Sequence, residues 1–487
     1  MAYSVAKNTS FLTTASIVQK IISFVYFTVI ARLIGVESTG AYFFALTFTS
    51  IFAVMADFGF SAVLTREIAK KPEDTQRIFS TALGGKFIIG AAAYILVVIA
   101  SYALGYPVQT RHLICLAGAT MWFDNLHSLF YAVFRAKRNL KYEAFGIVAS
   151  QFITMLIGSI ALYLRWPLIW LIGAYTIPSI LNVLYSGFFA VRVCALKLSI
   201  IFTGQAWKEF LLMAWPFAVA GIIGRLYSYS DSLIMSKLLT GRELGWWSVP
   251  YKITFAFQFI PLALSASIYP VFSALFLSDK NALARLFEKS WRYLFTIVFP
   301  LAAGIFAISA SFIVSVYGQA YSPSIMPLRI LVIALVFGYL ALISGALLNA
   351  VGEQRKQTML MAVVLVINII ANVILIPRYG INGAAISALI GNFALWIIGY
   401  ILVSRIVEIN GSILLKYCIK AFVPAIIMGA VIFWSAERMN VIFAIPTGAV
   451  LYLGLLFITG GISKEIIKEI RTKLTGNSNY ENIDNNA

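Results

Sequence analysis

Lys20, Lys86, Arg225, Lys252 and Arg329 are bases set inside long apolar runs of this sequence, and Asp57, Asp124 and Asp231 are acids placed the same way. A charge at the centre of a hydrocarbon layer costs about 2.5–3.5 kcal/mol on insertion scales, so such groups face a bundle interior or a wet cavity rather than lipid. Lys20, Arg225 and Asp124 fall near mid-span. Lys86, Lys252 and Arg329 lie within roughly 10 Å of a span end and have the reach to snorkel. Three acids cannot neutralise five bases. The surplus predicts a cationic cavity suited to an anion; buried ion bridges combined with snorkelling are the structural alternative. Arg225 and Asp231 are roughly 240° apart on a helix, so they do not share a face and each needs a partner elsewhere.

Other chemistries are missing. There is no Walker loop, GxSxG, HExxH or Cys/His cluster. Cys115, Cys194 and Cys418 are isolated, and His112 and His127 have no metal-ligand spacing, so neither a disulfide framework nor a metal or other cofactor is expected. Gly84-Gly85 lies inside an apolar run and reads as helix packing. A membrane glycosyltransferase would want acidic residues in sizeable loops, and these loops are short; the sequence predicts a non-enzyme. The net charge of +18 would suggest nucleic acid in a soluble protein, but here it fits basic loops held on the cytoplasmic side of a membrane.

The elements that must position these charges are membrane helices. Hydrophobic residues make up 61% of the chain and charged ones 11%, with a mean hydropathy of +0.89. Apolar runs of about 20 residues predict an all-α membrane protein of about fourteen transmembrane helices. These cover 11–34, 41–66, 80–104, 112–134, 144–164, 168–193, 209–236, 245–276, 289–316, 324–350, 358–377, 382–407, 413–434 and 442–461. The first run is too long for a secretory signal and lacks a small-residue cleavage site, so it is expected to be retained. A basic, then polar, tail follows at 464–487.

Loop Lys and Arg alternate in density. One side holds Lys7, then Arg66, Lys70, Lys71 and Arg77, then Arg135, Lys137, Arg138 and Lys141, then Arg192, Lys197 and Lys208, then Lys280, Arg285, Lys289 and Arg292, then Arg355 and Lys356, then Arg405, Lys416 and Lys420, then Lys464, Lys468, Arg471 and Lys473; the other holds only Arg32, Arg111, Arg165, Lys237, Arg242, Arg378 and Arg438. The basic-rich side is expected to be cytoplasmic, with both termini on it.

The stretch ARLIGVESTGAY (31–42) is echoed by SKLLTGRELGWW (236–247), pairing Arg32 with Lys237, Leu33 with Leu238, Gly40 with Gly245 and Tyr42 with Trp247. Two pseudo-symmetric six-helix bundles, 1–208 and 209–407, are predicted around a central cavity, followed by two further helices (408–463). Both bundles start on the same side, so their axis should lie along the membrane normal. The echoed turns would sit on the rim, where Arg32 either meets cargo at the cavity mouth or anchors a helix end. Pro216, Pro250, Pro261 and Pro270 are candidate kinks.

Six stretches, taken in order, resemble the Wzx-type polysaccharide flippases of the superfamily that includes MurJ-type lipid II flippases and MATE exporters. They are ARLIGVESTGAY, ADFGFSAVLTREIAK (56–70), YSDSLIMSKLLTGRELGWWSVPYK (229–252), IPLALSASIYPVFSAL (260–275), GALLNAVGEQRKQ (345–357) and NVILIPRYGINGAAISALIG (372–391). The resemblance implies movement of an undecaprenyl-diphosphate-linked oligosaccharide repeat unit, such as an O-antigen unit, across the bacterial inner membrane by alternating access, with ion-gradient coupling. It also implies work alongside a polysaccharide polymerase and a chain-length regulator, and no nucleic acid partner. Lys20, Arg225, Lys252, Lys86, Arg329 and Arg32 would then hold the anionic head group. Asp57, Asp124 and Asp231 would be the coupling acids, as carboxyls in a low dielectric that exchange a proton or hold sodium. Tyr227, Tyr229 and Trp122 would stack on sugar, while Trp246 and Trp247 fit an interfacial belt. A MurJ-type lipid II flippase and a MATE-like cation exporter are the alternatives; the surplus of bases argues against the latter.

Overall fold

The computed structural model describes residues 2–200, 204–435 and 441–461. Arg438 and the tail at 464–487 lie outside the described residues. The elements are α1 (Ala2–Ile34), α2 (Val36–Asp57), α3 (Phe60–Lys70), α4 (Thr75–Ala103), α5 (Val108–Ala136), α6 (Lys141–Tyr163), α7 (Ile169–Cys194), α8 (Gly204–Leu238), α9 (Gly241–Phe257), α10 (Phe259–Ser278), α11 (Lys280–Tyr317), α12 (Ile325–Ala350), α13 (Gln354–Tyr379), α14 (Ile381–Ser404), α15 (Gly411–Ser435) and α16 (Val441–Ile458). Counting α2–α3 and α9–α10 as single interrupted spans gives the fourteen expected. Thirteen meet both the length and the composition of a membrane span among the described residues. The other, α5, is long enough but carries Arg111, His112, Asp124 and Arg135.

Two breaks refine the sequence reading, each with a local cause. Between α2 and α3, Phe58 and Gly59 take left-handed backbone angles, φ 44 and 76. A Cβ at Gly59 would meet the Ala214 carbonyl oxygen at 2.7 Å and Phe217 Cβ at 2.8 Å, so glycine is needed both for the turn and for the approach of α8. Between α9 and α10, Pro261 has no N–H to offer the Phe257 carbonyl. There the chain makes one tighter bond, Gln258 N to Phe255 O at 3.2 Å. Pro216, Pro250 and Pro270 lie inside α8, α9 and α10, which continue through them.

The chain divides into two compact units: Met1–Ile260 with Ile313–Ala334 and Glu353–Leu395, and Pro261–Phe312 with Leu335–Gly352 and Trp396–Ala487. In the second unit, Trp291 of α11 packs edge-on to Phe295 and lies beside Trp396 and Tyr400 of α14. The Arg292 guanidinium lies 4.1 Å from the ring centre of Tyr417 on α15. Tyr452 of α16 donates to the Thr296 carbonyl at 3.0 Å. The outward faces of α15 and α16 expose Ile419, Ile426, Ile442, Phe443, Val450 and Phe457, as lipid-facing helices do.

In the first unit, the two echoed turns lie against each other. A Cβ on Gly40 of α2 would strike the Gly241 carbonyl, and a Cβ on Gly245 of α9 would strike the Val36 carbonyl. In the echo Val36 pairs with Gly241 and Gly40 with Gly245, so the contact is reciprocal, as at a two-fold axis. Glycine lets the two backbones close on each other here. The symmetry extends outward. Arg32 donates to the carbonyls of Ser315 and Val316 at the end of α11, at 2.8 and 2.6 Å. Its echo Lys237 donates to the Leu104 carbonyl at the end of α4. Tyr321 donates to the Ala31 carbonyl at 2.8 Å, and Tyr106 shares a 2.9 Å hydrogen bond with Ser236, the echo of Ala31. Both basic residues thus satisfy carbonyls left open at a helix C-terminus.

The turns at 35, 104–107, 239–240, 318–324 and 380 meet at this end, which is the Lys/Arg-poor one. At the Lys/Arg-rich end, Arg135 grips the buried Glu143 carboxylate, with Nε at 3.0 and 2.8 Å from its two oxygens. Lys137 reaches the Cys194 carbonyl at 3.0 Å, and Gln76 reaches the Lys197 carbonyl at 2.8 Å.

Candidate functional site

Lys20, Lys252 and Arg225 gather around one set of aromatic rings on α1, α8 and α9. Lys20 and Phe27 are seven residues apart and share a face of α1; Lys252 and Phe255 share a face of α9. The two pairs interlock. Lys20 Nζ lies 5.9 Å from the Phe255 ring centre, and Lys252 Nζ lies 5.4 Å from that of Phe27. Phe255 stacks on Tyr251 at 6.0 Å, Tyr251 neighbours Tyr229 at 6.1 Å, and Arg225 lies 5.9 Å from Tyr229. None of these three cations forms an ion pair with a described carboxylate. Aromatic faces attract cations but do not neutralise them. The arrangement therefore keeps three positive charges available on a ring-lined surface. An anionic group offers them charge-assisted hydrogen bonds, and the rings offer apolar faces to what is attached to it.

Asp231 is buried on α8, where its Oδ1 accepts from the Ser232 backbone N–H at 2.6 Å and from Ser232 Oγ at 3.2 Å. Its neighbour Ser230 bonds Asn368 Oδ1 at 3.1 Å, which also accepts from Asn372 Nδ2 at 2.9 Å. Asn372 Oδ1 is buried without a hydrogen-bond partner. Asp231 thus sits beside a small polar nest between α8 and α13, and no base among the described residues forms an ion pair with it.

The remaining expected site residues fall elsewhere. Lys86 does not snorkel. It is fully buried, with Nζ 2.5 Å from Asp57 Oδ1, 2.7 Å from Ser128 Oγ and 2.8 Å from the Asn125 carbonyl. Asp57 ends α2, and across the Phe58–Gly59 break Ser61 of α3 donates to the same Oδ1 at 2.6 Å. This pair binds α2, α4 and α5 together, with Lys86 enclosed and the Asp57 side chain still 28% exposed. Asp124 accepts from Ser179 Oγ at 2.5 Å and lies 3.2 Å from His127 Nε2. It belongs to a polar seam between α5 and α7 that also joins Thr120 to Thr176 at 2.7 Å and Tyr131 to Asn182 at 2.7 Å. Arg32 caps α11, as described above, and does not join the three cations. Arg329 is half-buried on α12.

Among the aromatics, Tyr229 joins the cation cluster. Tyr227 does not: its hydroxyl lies 3.2 Å from where a Cβ on Gly391 would sit, within the α8–α14 packing. Trp122 fills the α4–α5 seam, lying over Gly90 and beside Tyr94 and Phe87. Trp247 is fully buried, against the belt expectation, because it follows the Gly245 crossing directly. Trp246 remains at the rim and donates to the Ala320 carbonyl at 2.8 Å. Sequence reasoning missed Phe27, Tyr251 and Phe255, which are unremarkable in an apolar run. It also missed Asn368 and Asn372, whose i, i+4 spacing in an otherwise apolar helix was a readable signal. No cluster of three or more His, Cys, Asp or Glu that could hold a metal occurs among the described residues.

Long helices with apolar outer surfaces and polar seams between them define a multi-pass membrane protein. Its fold matches that of the lipid II flippase MurJ in an inward closed conformation, with a TM-score of 0.75, 17% identity, and coverage of 92% of this chain and 98% of that one. The chain belongs to the polysaccharide biosynthesis protein family, whose model matches residues 5–276, more than half its length. Among curated relatives, "Probable flippase AglR" of Haloferax volcanii is 29% identical over 169 residues, which is 34% of this chain and 35% of that protein. The capsular polysaccharide biosynthesis protein CapF of Staphylococcus aureus is 24% identical over 420 residues, 82% of this chain and 99% of that one.

Proposed function

We propose that this protein moves a lipid-linked oligosaccharide, joined to its lipid through an anionic diphosphate, from the cytoplasmic to the outer leaflet of a bacterial cytoplasmic membrane, and does not transform it chemically. The observation that carries this reading is the ring-lined group of Lys20, Arg225 and Lys252 without carboxylate partners. A diphosphate stripped of water meets charge-assisted donors there, while its sugars meet aromatic faces and its lipid tail stays in the bilayer. Family membership supports a polysaccharide cargo over a lipid II cargo. Three unneutralised bases make a poor site for an organic cation. Undecaprenyl diphosphate is the expected carrier, with a polymerase and a chain-length regulator as downstream partners. Alternating access accounts for the glycine-tight closure at the Lys/Arg-poor end. Of the three acids, Asp231 is the one for ion coupling, since Asp57 is held by Lys86 and Asp124 by Ser179 and His127.

The test is replacement of the chromosomal gene by Lys20→Gln, Arg225→Gln and Lys252→Gln variants. Surface glycan should fall and its lipid-linked precursor should accumulate in the cytoplasmic leaflet, with protein levels in the membrane unchanged. Full glycan display in all three variants at normal expression refutes the proposal.

A further inference from the structure

At the Lys/Arg-poor end, apart from the three cations, a pocket of about 360 Å³ opens between the start of α9, the 3-10 turn Gln319–Ser324 and the α13–α14 turn. That volume is in the range of small-ligand pockets, roughly 300–1,000 Å³. Its walls combine ring faces, from Trp246 and Tyr379, with unused acceptors. Glu243 closes the capping box of α9: its Oε2 accepts from Thr240 N and Oγ1, both at 2.9 Å. Its other oxygen, Oε1, lies 3.6 Å from where a Cβ on Gly380 would stand, and the carboxylate forms no ion pair with a described base. Asn382 Oδ1 is buried with no hydrogen-bond partner. The indole of Trp246 is pinned by its bond to the Ala320 carbonyl. Gly380, at φ 57, makes the turn that brings Tyr379 and Asn382 to the same opening.

We propose that this pocket binds a single sugar ring through hydroxyls donating to Glu243 Oε1 and Asn382 Oδ1, with the ring lying on the face of Trp246 that Arg242 leaves open. The Glu243 carboxylate offsets the neighbouring Arg242, whose guanidinium lies 5.4 Å from the Trp246 ring centre, so the pocket has no surplus positive charge for an anion, and a purely apolar ligand would leave Asn382 Oδ1 unpaired. A polyhydroxylated ring supplies both the donors and the apolar C–H face that a fixed indole accepts. Resting on the function proposed above, the ring would be a residue of the cargo glycan, held at the rim after the diphosphate has left the cations.

The experiment uses the full-length protein in nanodiscs, labelled with 5-fluorotryptophan, the Trp246 resonance being assigned by Trp246→Phe. The probes are simple hexoses, N-acetylhexosamines and the oligosaccharide freed by mild acid from the lipid-linked pool of the source cells. A saturable shift of the Trp246 signal with at least one saccharide is expected. It should be about tenfold weaker in Asn382→Ala and in Glu243→Gln, which keeps the cap, and unchanged in Arg225→Gln. No response to any saccharide overturns the proposal. So does a response retained in both pocket variants, or one given equally by sodium chloride or an alkylamine. Leaflet transfer is measured in parallel. Binding without transfer leaves the sugar pocket standing and refutes the transport reading; transfer without binding does the reverse.

Discussion

Gly245→Ala tests the closed end of the first unit directly. The added Cβ would lie against the Val36 carbonyl, 2.8 Å from its carbon and 2.9 Å from Val36 Cγ1. Two of these neighbours are backbone, so relief requires α2 and α9 to move apart. Overpacking of this kind costs about 1–3 kcal/mol. Alanine also gains roughly 0.5–1 kcal/mol of helix propensity over glycine, but that term is common to every arrangement of the two helices. A readout of whether the turns touch therefore sees the whole packing cost, a shift of about 5–150-fold in the ratio of closed to open arrangements. The readout is cross-linking between Glu37→Cys and Arg242→Cys, two exposed positions on the facing turns, with Cys115, Cys194 and Cys418 replaced by alanine. Adding Gly245→Ala should slow bismaleimide cross-linking by at least twofold and by up to about that factor, and Gly40→Ala should do the same, because the contact is reciprocal. Gly454→Ala is the control, since nothing lies within 4 Å of its Cβ position. Cross-linking within twofold of the parent in both variants would show that the α2–α9 approach is not tight and that the reasoning fails.

Lys86→Met should destabilise the protein by about 1–3 kcal/mol, because it leaves the half-buried Asp57 carboxylate with only the Ser61 hydroxyl as partner. Asp57→Asn with Lys86→Met should recover most of the loss, measured as the thermal midpoint in detergent. Arg32→Ala should lower stability by less than about 1 kcal/mol while preserving glycan display, since Arg32 caps α11. Lost display at normal expression would return Arg32 to the cargo path. Asp231→Asn should abolish the dependence of transfer on a proton or sodium gradient in proteoliposomes, and an unchanged dependence removes Asp231 from coupling. Reporter fusions at Asn139 and Tyr163 should fall on opposite sides of the membrane.

Thirteen spans were legible because hydrocarbon imposes one rule on the helices that face it, a run of about 20 apolar residues; α5 was legible by its length despite its charges. The echo of 31–42 in 236–247 was legible from Gly40 and Gly245. The physical reason those two glycines matched, their mutual contact, was not. Lys86 and Arg225 look alike in the sequence, each a base in an apolar run. One is held by Asp57, Ser128 and Asn125 from two neighbouring helices and the other lies beside Tyr229 on its own helix. The sequence by itself determined the membrane, the helix count, the surplus of bases and the repeat, all of which follow from composition and period. Tertiary structure alone decided which charges pair, which aromatics meet them and where Trp247 and Arg32 end up. Those outcomes depend on contacts between helices far apart in the chain, and no local pattern encodes them.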